Sequence, residues 1–309
     1  MIHSARYDVD SERKPFIVDI RRSICRQMCS LARKVRASVD QLSSKKKKDE
    51  IERLTSPQNH PFLQLKSDEG EQIIHHQTDV ERVWKGVEGE HELRIRQYQM
   101  ADNLRYFIGS HTKFADVCDD GYVPSKMDVL RTRLPTSSVV EHRISVGNGK
   151  LMTKTKRFVF FDVGGQKRHR AEWVSLLHDK KYVVFFASLA EYNEKLEEDD
   201  KTNRLNESIA LFQQIVRLMQ DKNKSFILML NKEDLFDDKF IHGQIKLSDY
   251  FPDYIGSDDD ADEAKQFIKG LFLKGIEHEQ IFTRFTTAID ESNIKSVFDD
   301  IMHHHFFTT

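Results

Sequence analysis

Four short apolar segments alternate with helical stretches in the second half of the chain, and this alternation limits the fold to a few possibilities. The segments have the length and the Phe, Val, Ile and Leu content of strands, and they span residues 157–162, 182–188, 226–230 and 281–286. The segment FILML at 226–230 is apolar on both faces, which is typical of a central strand in a parallel sheet covered by helices. The pattern predicts a doubly wound α/β domain whose ligands bind at the carboxyl ends of the strands.

Helical stretches follow these strands, at around 167–177, 203–220 and 263–274 and from near Asn293. The turn signal Gly147-Asn148-Gly149 indicates that the strand 157–162 belongs to a hairpin. We expect residues 139–146 to pair with residues 152–162, which gives the sheet one antiparallel edge.

Residues from about 10 to 127 show a helical pattern only. Apolar side chains recur there at steps of three or four on one face of a long helix, namely Ile17, Ile20, Ile24, Met28, Leu31 and Val35. Pro15 is expected in the first turn of that helix. The lysine run 45–48 is interpreted as a solvated loop between helices, with a localisation signal as the alternative. The 309 residues are therefore predicted to form two domains, 1–127 and 128–309.

Charge and composition argue against several classes of protein. The 48 basic and 50 acidic side chains give a net charge of −2, whereas a nucleic-acid binder normally has a strong basic excess. No apolar stretch approaches the roughly 18–20 residues of a membrane-spanning helix. The segment MIHSARYDVD has no apolar signal core, and Ile2 excludes N-myristoylation. Three cysteines cannot form a disulfide framework, so we expect a soluble protein of a reducing compartment.

Two sequence features suggest metal binding and are set aside. Cys25 and Cys29 are spaced as helical neighbours, without a second pair that would complete a zinc site. The histidine pair 75–76 and the run 303–305 have no Cys or carboxylate partners at ligand spacing.

The segment Asp162-Val163-Gly164-Gly165-Gln166 directly follows the strand RFVFF. An aspartate at a strand end can hold Mg²⁺, and paired glycines let a backbone N–H approach a terminal phosphate oxygen closely. The side-chain amide of Gln166 is suited to orienting an attacking water. Taken alone, this motif is compatible with nucleotide binding or with a plain strand–turn.

The segment Asn231-Lys232-Glu233-Asp234 follows the strand FILML. The spacing N-K-x-D suits guanine, because the aspartate carboxylate can accept from both N1–H and the exocyclic amine, which adenine lacks. The lysine stem can cover the flat base while the asparagine braces the loop. The alternative is an ordinary polar turn, but the position of the segment one strand–helix unit beyond Asp162 favours a nucleotide site.

The third segment, 128–136, lies at the junction between the two halves and reads DVLRTRLPT. An arginine at this junction can reach charge that develops on a γ-phosphate, and a threonine hydroxyl three residues later suits Mg²⁺. Taken alone, the segment is equally typical of a basic linker.

In this order, DVLRTR, FFDVGGQ, LNKEDLF and FTTAID resemble the signature of heterotrimeric G-protein α subunits, and RQYQMADNLRYF resembles that family's lid segment. The resemblance covers nearly the whole chain. It implies a Ras-like P-loop GTPase domain (α/β) at 128–309 with an all-α helical domain closing over the nucleotide.

The resemblance also implies roles for individual residues. Arg133 and Gln166 correspond to the catalytic arginine and the water-positioning glutamine, and Thr136 and Asp162 to the magnesium ligands. The remaining nucleotide contacts lie in the junction, the glycine loop and the base pocket, where the Ala288 N–H is expected on guanine O6; they are Leu130, Arg131, Thr132, Gly165, Asn231, Lys232, Asp234 and Ala288.

The sequence departs from the family's pattern at several points. No G-x-x-x-x-G-K-S/T motif occurs in the 309 residues. The chain is therefore expected to begin near the end of the first Ras-domain helix and to lack the N-terminal helix, the first strand and the P-loop. Since that strand is central, its loss predicts exposed strand edges and a gap in the core. Smaller departures are Pro135 in place of Lys, Ser138 in place of Gly, Ile289 in place of Thr, and a shortened C-terminus.

Two functions are compatible with these features. The first is a GTP-binding and GTP-hydrolysing switch with Mg²⁺ as cofactor and GTP or GDP as ligand, which couples cell-surface receptors to effectors. Its expected partners are the βγ dimer, a G protein-coupled receptor and an effector or regulator, with no nucleic acid. Its expected location is cytoplasmic, at the inner face of the plasma membrane, with peripheral association through partners. The second is a nucleotide-free interaction module that binds βγ or a regulator through the helix around Trp173.

Overall fold

The computed structural model describes most of the chain, and every structural statement below concerns these residues: 10–37, 39, 44–66, 69–88, 102–132, 139–147, 155–165, 170–196, 199, 201–219, 224–242, 245–278 and 280–302. Residues 2–135 form one compact unit and residues 136–309 the other. The assignment of functional domains to 1–127 and 128–309 stays a prediction.

The first unit, called the helical unit below, contains seven α-helices among its described residues. They are α1 (Asp10–Arg13), α2 (Phe16–Ala37), α3 (Lys45–Leu54), α4 (Gln77–Glu88), α5 (Asp102–Ile108), α6 (His111–Cys118) and α7 (Lys126–Arg131), with 3₁₀ turns at Pro61–Gln64 and Gly70–His76.

The helical unit packs around α2. The predicted apolar stripe is confirmed, because its members from Ile20 to Val35 are buried and Ile17 is partly buried. Large side chains of the other helices join the same cluster, among them Phe62, Trp84, Phe107 and Phe114. The core is therefore built by side chains of α2 to α6 and of the 3₁₀ turns.

Two local predictions for this unit are wrong. Pro15 lies in the turn just before α2, which begins at Phe16, rather than in its first turn. The lysine run 45–48 forms the first turn of α3, not a loop. Cations are unfavourable at a helix N-terminus, but Ile51 and Leu54 further along α3 are buried, so packing rather than local charge determines the helix.

The second unit, called the α/β unit below, contains five strands and five α-helices among its described residues. The strands are β1 (Val140–Gly147), β2 (Thr155–Asp162), β3 (Tyr182–Ser188), β4 (Ser225–Asn231) and β5 (Ile281–Thr286). The helices are α8 (Arg170–His178), α9 (Arg204–Leu218), α10 (Glu233–His242), α11 (Ala261–Leu273) and α12 (Glu291–Met302).

The strands form two sheets. β3, β4 and β5 are parallel with β4 in the centre, and β1 pairs with β2 antiparallel, Val140 opposite Asp162. These observations confirm the predicted α/β fold, the hairpin and the central position of 226–230, of which every residue is buried. The prediction that the hairpin forms an antiparallel edge of the same sheet is wrong for the described strands, because β1 and β2 form a sheet of their own. The turn predicted at 148–149 lies outside the described residues.

The parallel sheet is covered unequally on its two faces. One face packs against α9, α10 and α11, and the other face of β4 and β5 packs against α12. On that second face β3 places Val184 beside Ile227 and Phe186 beside Met229, yet Val184 is 42% and Phe186 56% exposed. Among the described strands, β3 pairs with β4 alone and forms one open edge of the parallel sheet.

Candidate nucleotide-binding site

Two loops at the carboxyl ends of β4 and β5, called the base loops below, are joined by one asparagine. Asn231 is the last residue of β4, and its Oδ1 accepts from the Ala288 N–H at 2.9 Å and from the Thr286 hydroxyl at 3.2 Å. Thr286 is the fully buried last residue of β5. The structure therefore brings together Asn231 and Ala288, two residues that the sequence assigned to a base pocket.

Lys232 turns the chain sharply between β4 and α10. Its φ is +61°, which makes it the one described non-glycine residue in the left-handed region. Such a conformation costs of the order of 1–3 kcal/mol and persists only where the surroundings hold it, typically at functional sites. The turn allows α10 to begin at the next residue, Glu233.

Asp234 lies in the first turn of α10 with an exposed side chain. Its Oδ1 is 3.4 Å from the hydroxyl of Thr287 in the other base loop. Because this carboxylate is exposed, a ligand can reach it as a hydrogen-bond acceptor. The Asp234 carboxylate of the first base loop thus lies beside the backbone turn at Thr287 in the second base loop.

The second base loop is held from behind by α12. The Thr287 N–H donates to Asn293 Oδ1 at 3.0 Å, and Asp290 Oδ1 accepts from the N–H groups of Ser292 and Asn293 and from the Ser292 hydroxyl. These bonds, with the Ser292 hydroxyl first, lower the pKa of Asp290. Sequence reasoning missed Thr286, Thr287 and Asn293. Their only signal is that hydroxyl and amide residues follow a strand end.

The glycine loop follows β2, which ends at the exposed Asp162. The Trp173 indole donates to the Gly164 carbonyl at 3.1 Å and so ties the loop to α8. A Cβ at Gly165 would meet no protein atom within 4 Å, so packing inside the chain does not explain this glycine. The contact of its N–H with a terminal phosphate oxygen stays a prediction. Gln166 lies outside the described residues.

An ion pair that the sequence reasoning missed fastens α8 to α9. Arg170 Nη1 lies 2.6 Å from Glu207 Oε1, and its guanidinium is 6.0 Å from the centre of the Trp173 ring. The two charged residues are 37 positions apart, so no local pattern links them. The pair places α8, the helix that follows the glycine loop, against the body of the α/β unit.

The predicted contacts Leu130, Arg131 and Thr132 belong to the helical unit. α7 ends at Arg131, whose guanidinium lies 4.7 Å from the Tyr106 ring centre. The Thr132 hydroxyl donates to the Asp128 carbonyl at 2.6 Å, so the last turn of α7 is fixed. Arg133 and Thr136, which follow it, lie outside the described residues.

The donor set suits a magnesium ion shared with phosphate. The described residues contain no group of three His, Cys, Asp or Glu side chains that could hold a metal alone. Mg²⁺ is normally bound by one or two protein oxygen ligands together with substrate phosphates. The exposed Asp162 carboxylate at the strand end fits that role.

The described part of the chain also contains no helix that is long and apolar enough to span a bilayer.

Comparison with known proteins gives two consistent findings. Residues 1–305 match the family described as G-protein alpha subunit. The chain is 37% identical over 222 residues to guanine nucleotide-binding protein subunit alpha-15 of Mus musculus, and the match covers 67% of this chain and 56% of the relative. The same subunit of Oryctolagus cuniculus is 36% identical over 238 residues, which cover 72% of this chain and 60% of the relative. The matches thus span no more than about three fifths of these relatives.

Proposed function

Because the chain belongs to the G-protein alpha subunit family, we propose that it is a guanine-nucleotide-binding, GTP-hydrolysing signalling switch. The observation that carries the proposal is the pair of base loops joined at Asn231, with the Asp234 carboxylate 3.4 Å from Thr287. The names of the curated relatives, guanine nucleotide-binding subunits, support the same function. They do not favour the alternative, a nucleotide-free interaction module.

The base loops would recognise guanine by its hydrogen-bond pattern. The Asp234 carboxylate accepts from N1–H and from the exocyclic amine, and adenine offers neither in that arrangement. The Ala288 N–H donates to the guanine O6, which requires it to be shared with, or released from, Asn231 Oδ1. A site that hydrogen-bonds its base in this way discriminates against a base that leaves these groups unpaired.

The phosphate end would be served by the glycine loop and the junction. The Gly165 N–H would donate to a γ-phosphate oxygen, and the space around its Cα, where an added Cβ would meet no atom within 4 Å, supports this role. Mg²⁺ held by Asp162 and Thr136 would neutralise charge on the phosphate oxygens.

Hydrolysis would depend on Arg133 and Gln166. The planar guanidinium of Arg133 would stabilise charge that develops on the transferred phosphoryl group, and Gln166 would orient the attacking water. Both roles are those known for phosphoryl transfer in G-protein α subunits, which carry their arginine in cis. They come from the family resemblance, because Arg133 and Gln166 lie outside the described residues.

The partners and location follow from the same proposal. The switch would bind the βγ dimer in the GDP state and an effector in the GTP state, and a G protein-coupled receptor would promote exchange. It would work at the inner face of the plasma membrane through these partners.

The guanine site is tested by changing Asp234. Asp234→Asn places an amide where guanine presents donors, so preference should move from GDP toward xanthosine diphosphate, whose 2-oxo group accepts. We expect the ratio of the two dissociation constants to change by about 100-fold or more. The measurement is a titration of the purified protein with GDP, xanthosine diphosphate and ADP.

The matched control is Asp238→Asn, which removes an exposed carboxylate one turn further along α10. It should leave the ratio unchanged. Equal binding of GDP and ADP by the unmodified protein, or an unchanged ratio in Asp234→Asn, would reject the guanine site.

A further inference from the structure

Lys265 is a buried cation on α11 that is surrounded by carboxylates. Its side chain is 5% exposed, and its Nζ lies 2.7 Å from Glu233 Oε1, 2.8 Å from Asp262 Oδ1 and 3.2 Å from Asp237 Oδ1. Burial alone would lower the pKa of this ammonium, but the three carboxylates outweigh burial and raise it. The group is therefore charged at neutral pH, and Glu233, whose side chain is 26% exposed, is the most buried of its three partners.

One of its partners lies within the guanine motif itself. Glu233 stands between Lys232, the residue with φ +61°, and Asp234, the predicted base acceptor. The left-handed backbone conformation of Lys232 persists only where neighbouring groups hold it. Glu233, the next residue, provides such an anchor, because its carboxylate lies 2.7 Å from the buried ammonium of Lys265. Anchoring Glu233 fixes the start of α10 and hence the direction in which Asp234 leaves the helix.

The same ammonium also lies near the second base loop. Its Nζ is 6.0 Å from the centre of the Phe285 ring, a distance at which the ring face attracts a cation. Phe285 precedes Thr286, whose hydroxyl donates to Asn231. Lys265 thus pairs with the first residue of α10, Glu233, and lies near the strand end that leads to the second base loop.

We propose that Lys265 is a positioning residue for base recognition, which holds Glu233 and thereby aligns Asp234 with the edge of guanine. The inference rests on the proposed function and deepens it. Two parallel hydrogen bonds to one carboxylate need a fixed plane, whereas a single bond tolerates rotation. The alignment therefore matters for the second bond, to the exocyclic amine, more than for the first.

The discriminating measurement compares GDP with inosine diphosphate, which has N1–H but no exocyclic amine. The ratio of their dissociation constants reports the second hydrogen bond. A loss of overall pocket stability weakens the binding of both nucleotides equally and leaves this ratio unchanged. A change in the ratio therefore indicates a positioning role of Lys265 rather than a general structural role.

The test uses Glu233→Gln rather than removal of the lysine, since Lys265→Met would leave the partly buried carboxylates of Glu233 and Asp237 without their cation and would destabilise the unit itself. Glu233→Gln keeps the shape of the side chain and removes its charge. Asp262→Asn is the matched control, because Asp262 pairs with the same ammonium but is 89% exposed and lies on α11 itself.

We expect the preference for GDP over inosine diphosphate to fall about 5- to 10-fold in Glu233→Gln, the effect of roughly one hydrogen bond. In Asp262→Asn it should stay within about twofold. Lys265→Arg, which keeps the charge and can pair with two carboxylates, should retain most of the preference.

The outcomes separate this inference from the function on which it rests. An unmodified protein that binds no guanine nucleotide at up to about 1 mM overturns the proposed function and this inference with it. An unmodified protein that prefers GDP, with the same preference in Glu233→Gln, overturns this inference alone. Equal losses of preference in Glu233→Gln and Asp262→Asn overturn it too, since the preference would then follow the charge around Lys265 rather than the anchoring of Glu233.

Discussion

The helical unit and the α/β unit bury their apolar side chains to different extents. In the helical unit, helices α2 to α6 contribute to one cluster of buried residues around α2. In the α/β unit one face of the parallel sheet is well covered, but the other face leaves Val184 and Phe186 of β3 exposed beside the buried Ile227 and Met229.

The difference has a physical cause. A helix satisfies its backbone hydrogen bonds within itself, so a group of helices needs only matching side chains to complete a core. A strand needs a neighbour for its backbone as well as cover for both of its faces. A sheet with an open edge therefore depends on its buried half for stability, and the covered face of β3–β4–β5 should carry most of it.

The largest effect is expected for Phe212→Ala, at the centre of the covered face. Phe212 is fully buried, and its ring contacts Phe185 at 5.3 Å, Phe272 at 5.9 Å and Phe226 at 6.5 Å between centroids. Loss of the ring should lower the free energy of unfolding of the α/β unit by about 3–5 kcal/mol. The change in this free energy is measured by urea denaturation that is monitored through hydrogen exchange of the amides in α9 and β4.

Phe186→Ala is the control on the uncovered face of the same sheet. With 56% of its surface already exposed, Phe186 should contribute no more than about 0.5 kcal/mol. If the two variants lose similar amounts of unfolding free energy, the two faces of the sheet are equally buried in solution, and the proposed difference between them is wrong.

A smaller effect is expected for Asp128→Asn in the helical unit. Asp128 is fully buried and accepts from the Tyr106 hydroxyl at 2.7 Å, from Lys113 Nζ at 2.8 Å and from the Tyr122 hydroxyl at 2.9 Å. An amide would leave Lys113 without its charge partner, so unfolding of this unit should become easier by about 2–3 kcal/mol. Asp116→Asn, an exposed carboxylate on α6, is the control and should have little effect.

The same carboxylate predicts the acid sensitivity of the helical unit. Burial raises the pKa of Asp128, but the hydrogen bonds from Lys113, Tyr106 and the Ser125 N–H outweigh burial and lower it below 3.8. A carboxyl with a depressed folded pKa stabilises the protein above its unfolded pKa, and this contribution is lost as pH falls through the folded pKa. Stability of the unit should therefore fall below about pH 4, and the fall should be shallower in Asp128→Asn.

Fluorescence can follow this transition, since each unit contains one of the two tryptophans of the chain, Trp84 and Trp173. The variant Trp173→Phe leaves Trp84 as the reporter of the helical unit. If the acid transition is equally large in the unmodified protein and in Asp128→Asn, Asp128 is not the cause of the acid sensitivity of the helical unit.

The sequence predicted the strands and the order of elements well, because buried strands need continuous apolar runs such as FILML and helices need a regular apolar stripe. It failed where packing overrides local preference. The lysine run 45–48 is typical of a loop, yet it begins α3 because Ile51 and Leu54 bury themselves further along.

The candidate site divides in the same way. Asn231 and Asp234 were predicted because they follow a predicted strand, and strand ends gather ligands. Ala288 was assigned through the family resemblance. Lys265 was missed because its partner Glu233 is 32 residues away, and the pair of Arg170 with Glu207 was missed for the same reason. Ion pairs between helices depend on tertiary packing, which no single segment of sequence specifies.

The smallest effect on stability is expected for Phe186→Lys at the open edge of β3. An uncovered strand edge with exposed apolar side chains promotes pairing with another chain, and a lysine there opposes it through charge. The variant should lower concentration-dependent self-association in sedimentation velocity while the midpoint of urea unfolding changes little, since a surface substitution contributes about ±0.5 kcal/mol. Ile255→Lys is the matched control, because Ile255 is 97% exposed but lies in a loop rather than on a strand edge. Equal reductions in both variants would indicate that net charge alone opposes association, and no reduction in either would show that the open face of β3 does not drive contact between copies.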